Sequence, residues 1–179
     1  MMPSMFEPGR PAADEYLPFY ETYVSLVPEG SVIRTLETDG NGTSSRLSRL
    51  TDAQAAHAYA LGKWTVKQVL GHMLDTERVF AYRLLTVARG DSTPLPGFEQ
   101  NLFVNTWDLS QVPMLSLLAE WDAVRSSTLR LLYHLSESDW TRRGTASGGE
   151  VTVRALAFMI AGHEIHHRGI LERKYHIAF

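Results

Sequence analysis

The sequence predicts an all-α protein, a four-helix bundle with additional short helices. Three observations carry that expectation. Apolar residues recur at three- and four-residue spacing through four long segments, the period of a helix face. The second of these segments opens on a side-chain pattern that caps helices. Between the second and third lies a long link, residues 90–111, which exceeds a tight antiparallel turn and suits two parallel neighbours joined by a chain that crosses the bundle.

Taken in order, the chain first shows an amphipathic stretch from Ala13 to Leu26, stopped by Val27-Pro28-Glu29-Gly30. The next segment contains Asp39-Gly40-Asn41-Gly42, locally a turn signal. Yet Ile33, Leu36, Gly40, Thr43, Leu47 and Leu50 hold one register through it. A loop between two helices has no reason to keep phase, so one helix is expected over about 31–51, weakened in its middle. The second bundle helix starts at Thr65, where Gln68 completes a capping box and Trp64 and Val69 stand at staple positions. It runs to about Arg89 with Val66, Val69, Leu70, Met73, Phe80, Leu84 and Val87 on one broad face. The third spans about Val112 to Leu135 through Met114, Leu117, Trp121, Val124, Thr128, Leu131 and Leu135, with Pro113 tolerated in the first turn. The last opens at Thr152 and continues to about Lys174. Phe98, Phe103 and Trp107 of the long link are expected to pack over the bundle. The other link, residues 136–151, reads as a Gly-rich, mobile turn without a convincing strand.

A length of 179 residues suits one domain, expected over 13–179 after an N-terminal tail of residues 1–12. The net charge of −3 gives no drive toward nucleic acid or anionic membrane. No apolar stretch is long enough to span a bilayer, and the opening MMPSMFEPGRPAADEY lacks the apolar core of a signal peptide, so a cytoplasmic location is expected. There is no cysteine, which excludes disulfides, thiolate ligands and a thiol nucleophile supplied by the protein.

The chemistry concentrates in Gly162–Leu171, GHEIHHRGIL. On the last helix Val153, Leu156, Ile160, His163, His167, Ile170 and Lys174 share one register. His163 and His167 therefore project inward together, about 40° apart around the axis. Two buried imidazoles without partners are costly, and a shared cation removes that cost. His166 sits on the flank. Among the remaining histidines, His72 lies mid-helix at the edge of a buried face, whereas His57, His134 and His176 lie before, at or beyond helix ends. Three histidines with open positions make the composition of a catalytic rather than a structural metal site. The spacing also satisfies His-Glu-x-x-His of helical zinc peptidases. That reading fails because Gly169 is one residue early for the extended pattern, and too few residues follow His167 for a second ligand-bearing helix.

The segments GKWTVKQVLGHMLDTERVFAYRLL, RGDSTPLPGF and GHEIHHRGIL together resemble the DinB superfamily, a likeness covering the chain from about Tyr16 to its end. The resemblance implies an up-down-down-up bundle with a divalent metal on one His of the second helix and an H-x-x-x-H pair of the last, here His72, His163 and His167. Asp39-Gly40-Asn41-Gly42 departs from the family's usual smooth first helix. The resemblance also implies a homodimer and, from characterised relatives, a transferase that activates a low-molecular-weight thiol of the bacillithiol or mycothiol type. Zinc or nickel leads among metals that three imidazoles accept. Metal-dependent hydrolysis of a small substrate, or a non-enzymatic metal-binding module of a stress response, uses the same ligands. Asp75, one turn from His72, and Glu164, beside His163, are candidates for a general base or a partner behind the ligands. Arg83 and Arg125 are candidates for binding a carboxylate of the thiol or substrate. Glu77 points away from His72 and reads as half of a structural ion pair.

Overall fold

The computed structural model describes residues 6–179. Four long helices build the bundle: α2 (Val32–Leu47), α4 (Val66–Ala88), α6 (Met114–Tyr133) and α7 (Val153–Tyr175). Shorter helices α1 (Glu21–Val24), α3 (Asp52–Ala55) and α5 (Gln100–Thr106) fill the connections. The cap patterns act as the sequence implies. Thr65 and Gln68 close a reciprocal box at the start of α4, and the Thr152 hydroxyl accepts from the Ala155 N–H at the start of α7.

Two apolar clusters show how the helices run. One gathers Ile33 and Leu36 from the start of α2, Leu84 and Val87 from the end of α4, Leu132 from the end of α6, and Val153 to Ala161 from the start of α7. The other gathers Leu47, Val66 to Leu74, Met114 to Trp121, and Leu171 from the opposite helix ends. Helices α2 and α7 therefore point one way, α4 and α6 the other. This is the up-down-down-up arrangement, and the long link before α6 lets α4 and α6 lie parallel.

Glycine does not break α2. The helix runs through Asp39-Gly40-Asn41-Gly42 and ends at Leu47, short of residue 51. A β-carbon at Gly40 would lie 2.7 Å from the Arg125 guanidinium, so the missing side chain is the space through which Arg125 crosses the helix. Asp39, beside it, pairs with Arg168 at 2.5 Å.

Two sequence expectations need correction. The amphipathic stretch over 13–26 does not form a helix along its length. Pro18 removes a backbone donor and holds Leu17 extended at ψ 141°, so the segment breaks into 3-10 turns at Ala13–Glu15 and Pro18–Tyr20 before the single turn of α1. The second link is an ordered antiparallel hairpin, β1 (Arg143–Ala146) and β2 (Gly149–Thr152), rather than a mobile turn without strands. Its two loop residues, Ser147 and Gly148, have φ of 55° and 81°, the positive pair that a two-residue type I′ turn requires. Leu95 of the long link adds to β1, donating to the Thr145 carbonyl and accepting from the Ser147 N–H. Arg10 donates to the Val24 and Val27 carbonyls, while residues 1–5 of the expected tail lie outside the described residues. In the long link, Trp107 packs on α4 over Gly71 and Phe98 is half-buried, but Phe103 is exposed. No helix among the described residues is long and apolar enough to cross a membrane.

Candidate metal centre

The core between the two apolar clusters is polar, and the candidate centre occupies one side of that layer. On α4, His72 stands in the second turn after the Thr65 cap. On α7, His163 and His167 stand one turn apart. The ligand-capable nitrogens of all three lie within 4.8 Å of one another, and all three rings are buried. His72 Nε2 is 3.0 Å from His163 Nε2, and the ring centroids are 4.4 to 4.9 Å apart.

Protonation states follow from burial. His72 is pushed down to about 4 by burial and by His166. Burial drives His163 well below the ordinary imidazole value, with His167, His72 and His166 adding repulsion. His167 is driven the same way by burial, His72 and His166. All three are neutral near pH 7, the form in which an imidazole nitrogen is a ligand. The arrangement fits a cation on its own geometry. A metal with bonds of about 2.0–2.1 Å in tetrahedral geometry sets its nitrogens about 3.3 Å apart, near the separation found for the first pair. His167 Nδ1 is buried with no hydrogen-bond partner among the described residues. Behind His72, the Thr76 hydroxyl lies 3.5 Å from Nδ1, on the side where a ligating imidazole presents its other N–H.

Local packing aims these rings. A β-carbon at Gly162 would fall 2.0 Å from the Tyr23 carbonyl oxygen, so this glycine is what lets α1 lie directly on α7. The contact sets the Tyr23 ring edge-on to His163 and His166, at 5.2 and 5.3 Å. The Trp64 ring lies 5.1 Å from His72. In front of His72 and His163 opens a cavity of about 400 Å³, walled by Phe19, Tyr20, Tyr23, Phe80, Phe98 and the hairpin-tip Ser147. Burial pushes the Tyr23 hydroxyl above the usual phenol range, with Tyr20 adding to the shift. Of this wall, Phe80 and Phe98 stand out in the sequence as packing residues and Phe19, Tyr20 and Tyr23 lie in the amphipathic stretch over 13–26, whereas Ser147 carries no periodic signal.

The other candidate residues are placed differently. Glu164 adjoins His163 in sequence but turns to the opposite side of α7. It accepts from the Thr43 hydroxyl at 2.6 Å and lies 2.8 Å from Arg125. Arg125 is also bidentate to Glu77, at 2.9 and 2.8 Å, and donates to the Leu36 carbonyl. The expectation that Arg125 binds substrate and Glu164 acts as a base is corrected on this ground: each is consumed by a buried ion cluster away from the cavity. Glu77 takes the structural ion-pair role expected of it. Asp75 faces Arg78 and Glu120 rather than the histidines, and burial raises its carboxyl above the ordinary range against the pull of Arg78. It is corrected in the same way, because one turn along α4 rotates it off the His72 face. Arg83 lies behind the cavity wall and donates to the Pro96 carbonyl and the Ser147 hydroxyl.

An all-α bundle with a buried three-histidine cluster and a cavity before it defines a class of metal-site helical proteins. The sequence profile of the DinB superfamily matches residues 35–171, and the chain belongs to that family. A protein of Oceanobacillus iheyensis named "Putative metal-dependent hydrolase" is 23% identical over 136 residues, covering 75% of this chain and 78% of its own. A Geobacillus kaustophilus protein of the same name is 27% identical, covering 76% of each. Among solved structures, YfiT from Bacillus subtilis, described as "a probable metal-dependent hydrolase with an unusual four-helix bundle topology", aligns with a TM-score of 0.69 at 18% identity, over 97% of this chain and 95% of that one. A mycothiol-dependent maleylpyruvate isomerase aligns with a TM-score of 0.62 at 17% identity, over 80% of this chain and 61% of that one.

Proposed function

We propose that this chain is a metal-dependent enzyme that transfers a low-molecular-weight thiol to an electrophilic small molecule. The observation that carries the reading is the meeting of three buried, neutral imidazoles, two of which, His72 and His163, line an aromatic-walled cavity. A divalent ion held by His72, His163 and His167, zinc or nickel by its fit to nitrogen donors, would supply Lewis acidity that lowers the proton affinity of a thiol or water drawn beside it.

The chain's own residues complete the arrangement. Thr76 stands where it fixes the His72 tautomer, and Gly162 keeps Tyr23 against His163. Tyr20, Tyr23, Phe80 and Phe98 exclude water and hold an apolar body by its faces. Neither Glu164 nor Asp75 reaches the cavity, and the one acidic side chain lining it, Glu99, is exposed and caps α5 by accepting from the Asn101 N–H. A thiol needs only to lose its proton to become a nucleophile, whereas water attack gains from a positioned base. That difference favours thiol transfer. The sulfur forms a bond to the electrophilic carbon, the leaving group departs with its bonding pair, and the thiol proton passes to solvent.

Hydrolysis is the second reading, favoured by the names of the relatives. One experiment separates the two. Protein prepared without added metal is assayed for metal content beside the His72→Ala, His163→Ala and His167→Ala variants, then offered bacillithiol with monochlorobimane, and separately p-nitrophenyl acetate without thiol. The expected result is about one metal per chain, lost in each variant, with conjugate formed faster than the uncatalysed background only by the metal-loaded wild type. Ester cleavage without thiol transfer would replace the first reading by the second. Absence of metal even after reconstitution with zinc or nickel would overturn both.

A further inference from the structure

Arg83, behind the cavity wall, is a buried charge that the proposed chemistry leaves unused. Its side chain is only 2% exposed, yet its assigned partners are two neutral acceptors: the Pro96 carbonyl at 2.6 Å and the Ser147 hydroxyl at 3.0 Å. Arg125, the other deeply buried guanidinium, has two carboxylates. Among the described residues no carboxylate lies within ion-pair distance of Arg83. Its charge instead rests between the rings of Phe80 and Phe98, at 5.7 and 5.8 Å. A buried cation without a counter-charge is held at a cost, and such an arrangement recurs where a ligand supplies the missing anion.

The surroundings connect this charge to the cavity. Phe80, Phe98 and Ser147, which touch Arg83, all line the space in front of His72 and His163. Arg83 follows His72 by three turns, on nearly the same stripe of α4, and long side chains on a helix lean toward its N-terminus. Its guanidinium therefore ends on the order of 10 Å from the His72 ring.

We propose that Arg83 with Ser147 forms the anion-recognition end of the cavity, so that the substrate is a small molecule with an apolar or aromatic body and a carboxylate, bound with its reactive carbon at the histidines. Arg83 exchanges its bond to Ser147 for the ligand's oxygen, and the freed hydroxyl donates a second. This rests on the reading of the three histidines as the reacting centre.

The test compares binding of 4-phenylbutyrate and its neutral amide by calorimetry, in metal-loaded and metal-free protein, for wild type, Arg83→Gln and Arg83→Lys. Gln keeps a donor for Pro96 and Ser147 without the charge, and helicity is checked in each variant by circular dichroism. The expected result is an acid preference over the amide of about tenfold or more in wild type, kept in Arg83→Lys and lost in Arg83→Gln while metal content is unchanged. A preference that persists in Arg83→Gln assigns the carboxylate to the metal and overturns the proposal, as does equal binding of acid and amide, or of neither, by wild type. Should Arg83→Gln fail to fold, Ser147→Ala reads the same site: it removes the second donor to the carboxylate, so an acid preference reduced severalfold supports the assignment and an unchanged one overturns it. Acid preference in a chain that binds no metal would keep the Arg83 site while the metal-enzyme reading fails.

Discussion

The guanidinium of Arg125 touches every long helix: it grows from α6, pairs with Glu77 of α4 and Glu164 of α7, and donates to the Leu36 carbonyl of α2. Burial and Arg125 oppose each other at Glu164, and burial prevails, leaving that carboxyl above its ordinary value. Removing the cation leaves two carboxylates buried without it, so Arg125→Ala is expected to cost about 3–5 kcal/mol in urea unfolding. Arg125 and Glu164 were visible in the sequence as charges near inward positions, but not as partners. Their meeting joins α6 to α7, and no local period records it. The histidines were legible for the opposite reason, since an i, i+4 pair in an apolar register has few other physical uses. Metal removal offers a check at the same scale. With metal at a hundredfold excess over its dissociation constant, a chelator is expected to lower the thermal midpoint by about 5–10 °C, and His163→Ala to abolish that shift.

The two glycines inside α2 have different surroundings, and single substitutions should separate them. At Gly42 a β-carbon would meet only the Arg168 side chain, at 4.0 Å, so Gly42→Ala should stabilise the fold by about 0.5–1 kcal/mol through helix propensity alone. At Gly40 the same atom would push a guanidinium held by several bonds, so Gly40→Ala should destabilise, despite the same gain in propensity. Denaturant midpoints of the two variants, moving in opposite directions, check the pair. Long helices were readable because capping boxes and three- and four-residue spacing are local. The hairpin escaped notice because its strands have four residues each and its turn, Ser147-Gly148, sits in a run of small residues with no alternation. Pro18 is equally readable, but the apolar spacing around it, continuous from Ala13 to Leu26, masks its breaking effect.

The molecule as a whole is two apolar half-cores joined by a polar waist, with the His cluster on one side and the Arg125 cluster on the other. The N-terminal segment is tied to this body by Glu15, which accepts from Arg154 and the Thr152 hydroxyl. Burial would raise the Glu15 carboxyl, but Arg154, the Ala12 N–H and Thr152 together hold it down to about 2. A depressed folded value means that its contribution is present above the unfolded value of about 4.5 and is lost as pH falls toward about 2. Wild type should therefore lose stability across that window faster than Glu15→Gln, a difference measurable by urea titration at several pH values. Up-down-down-up order was legible in part from the long link, since length alone argues for parallel neighbours. The docking of the N-terminal segment was not, because most of the chain separates Glu15 from Thr152 and Arg154.

The cavity wall has a consequence for descent. The histidines stand on α4 and α7, within the bundle, whereas Phe19, Tyr23, Phe98 and Ser147 come from the N-terminal segment, the long link and the hairpin turn, outside the four long helices. Drift in those segments alters what the cavity admits without disturbing the three histidines. A lineage built on this plan can therefore change its diet while conserving its teeth, and descendants that share the three histidines need share no substrate.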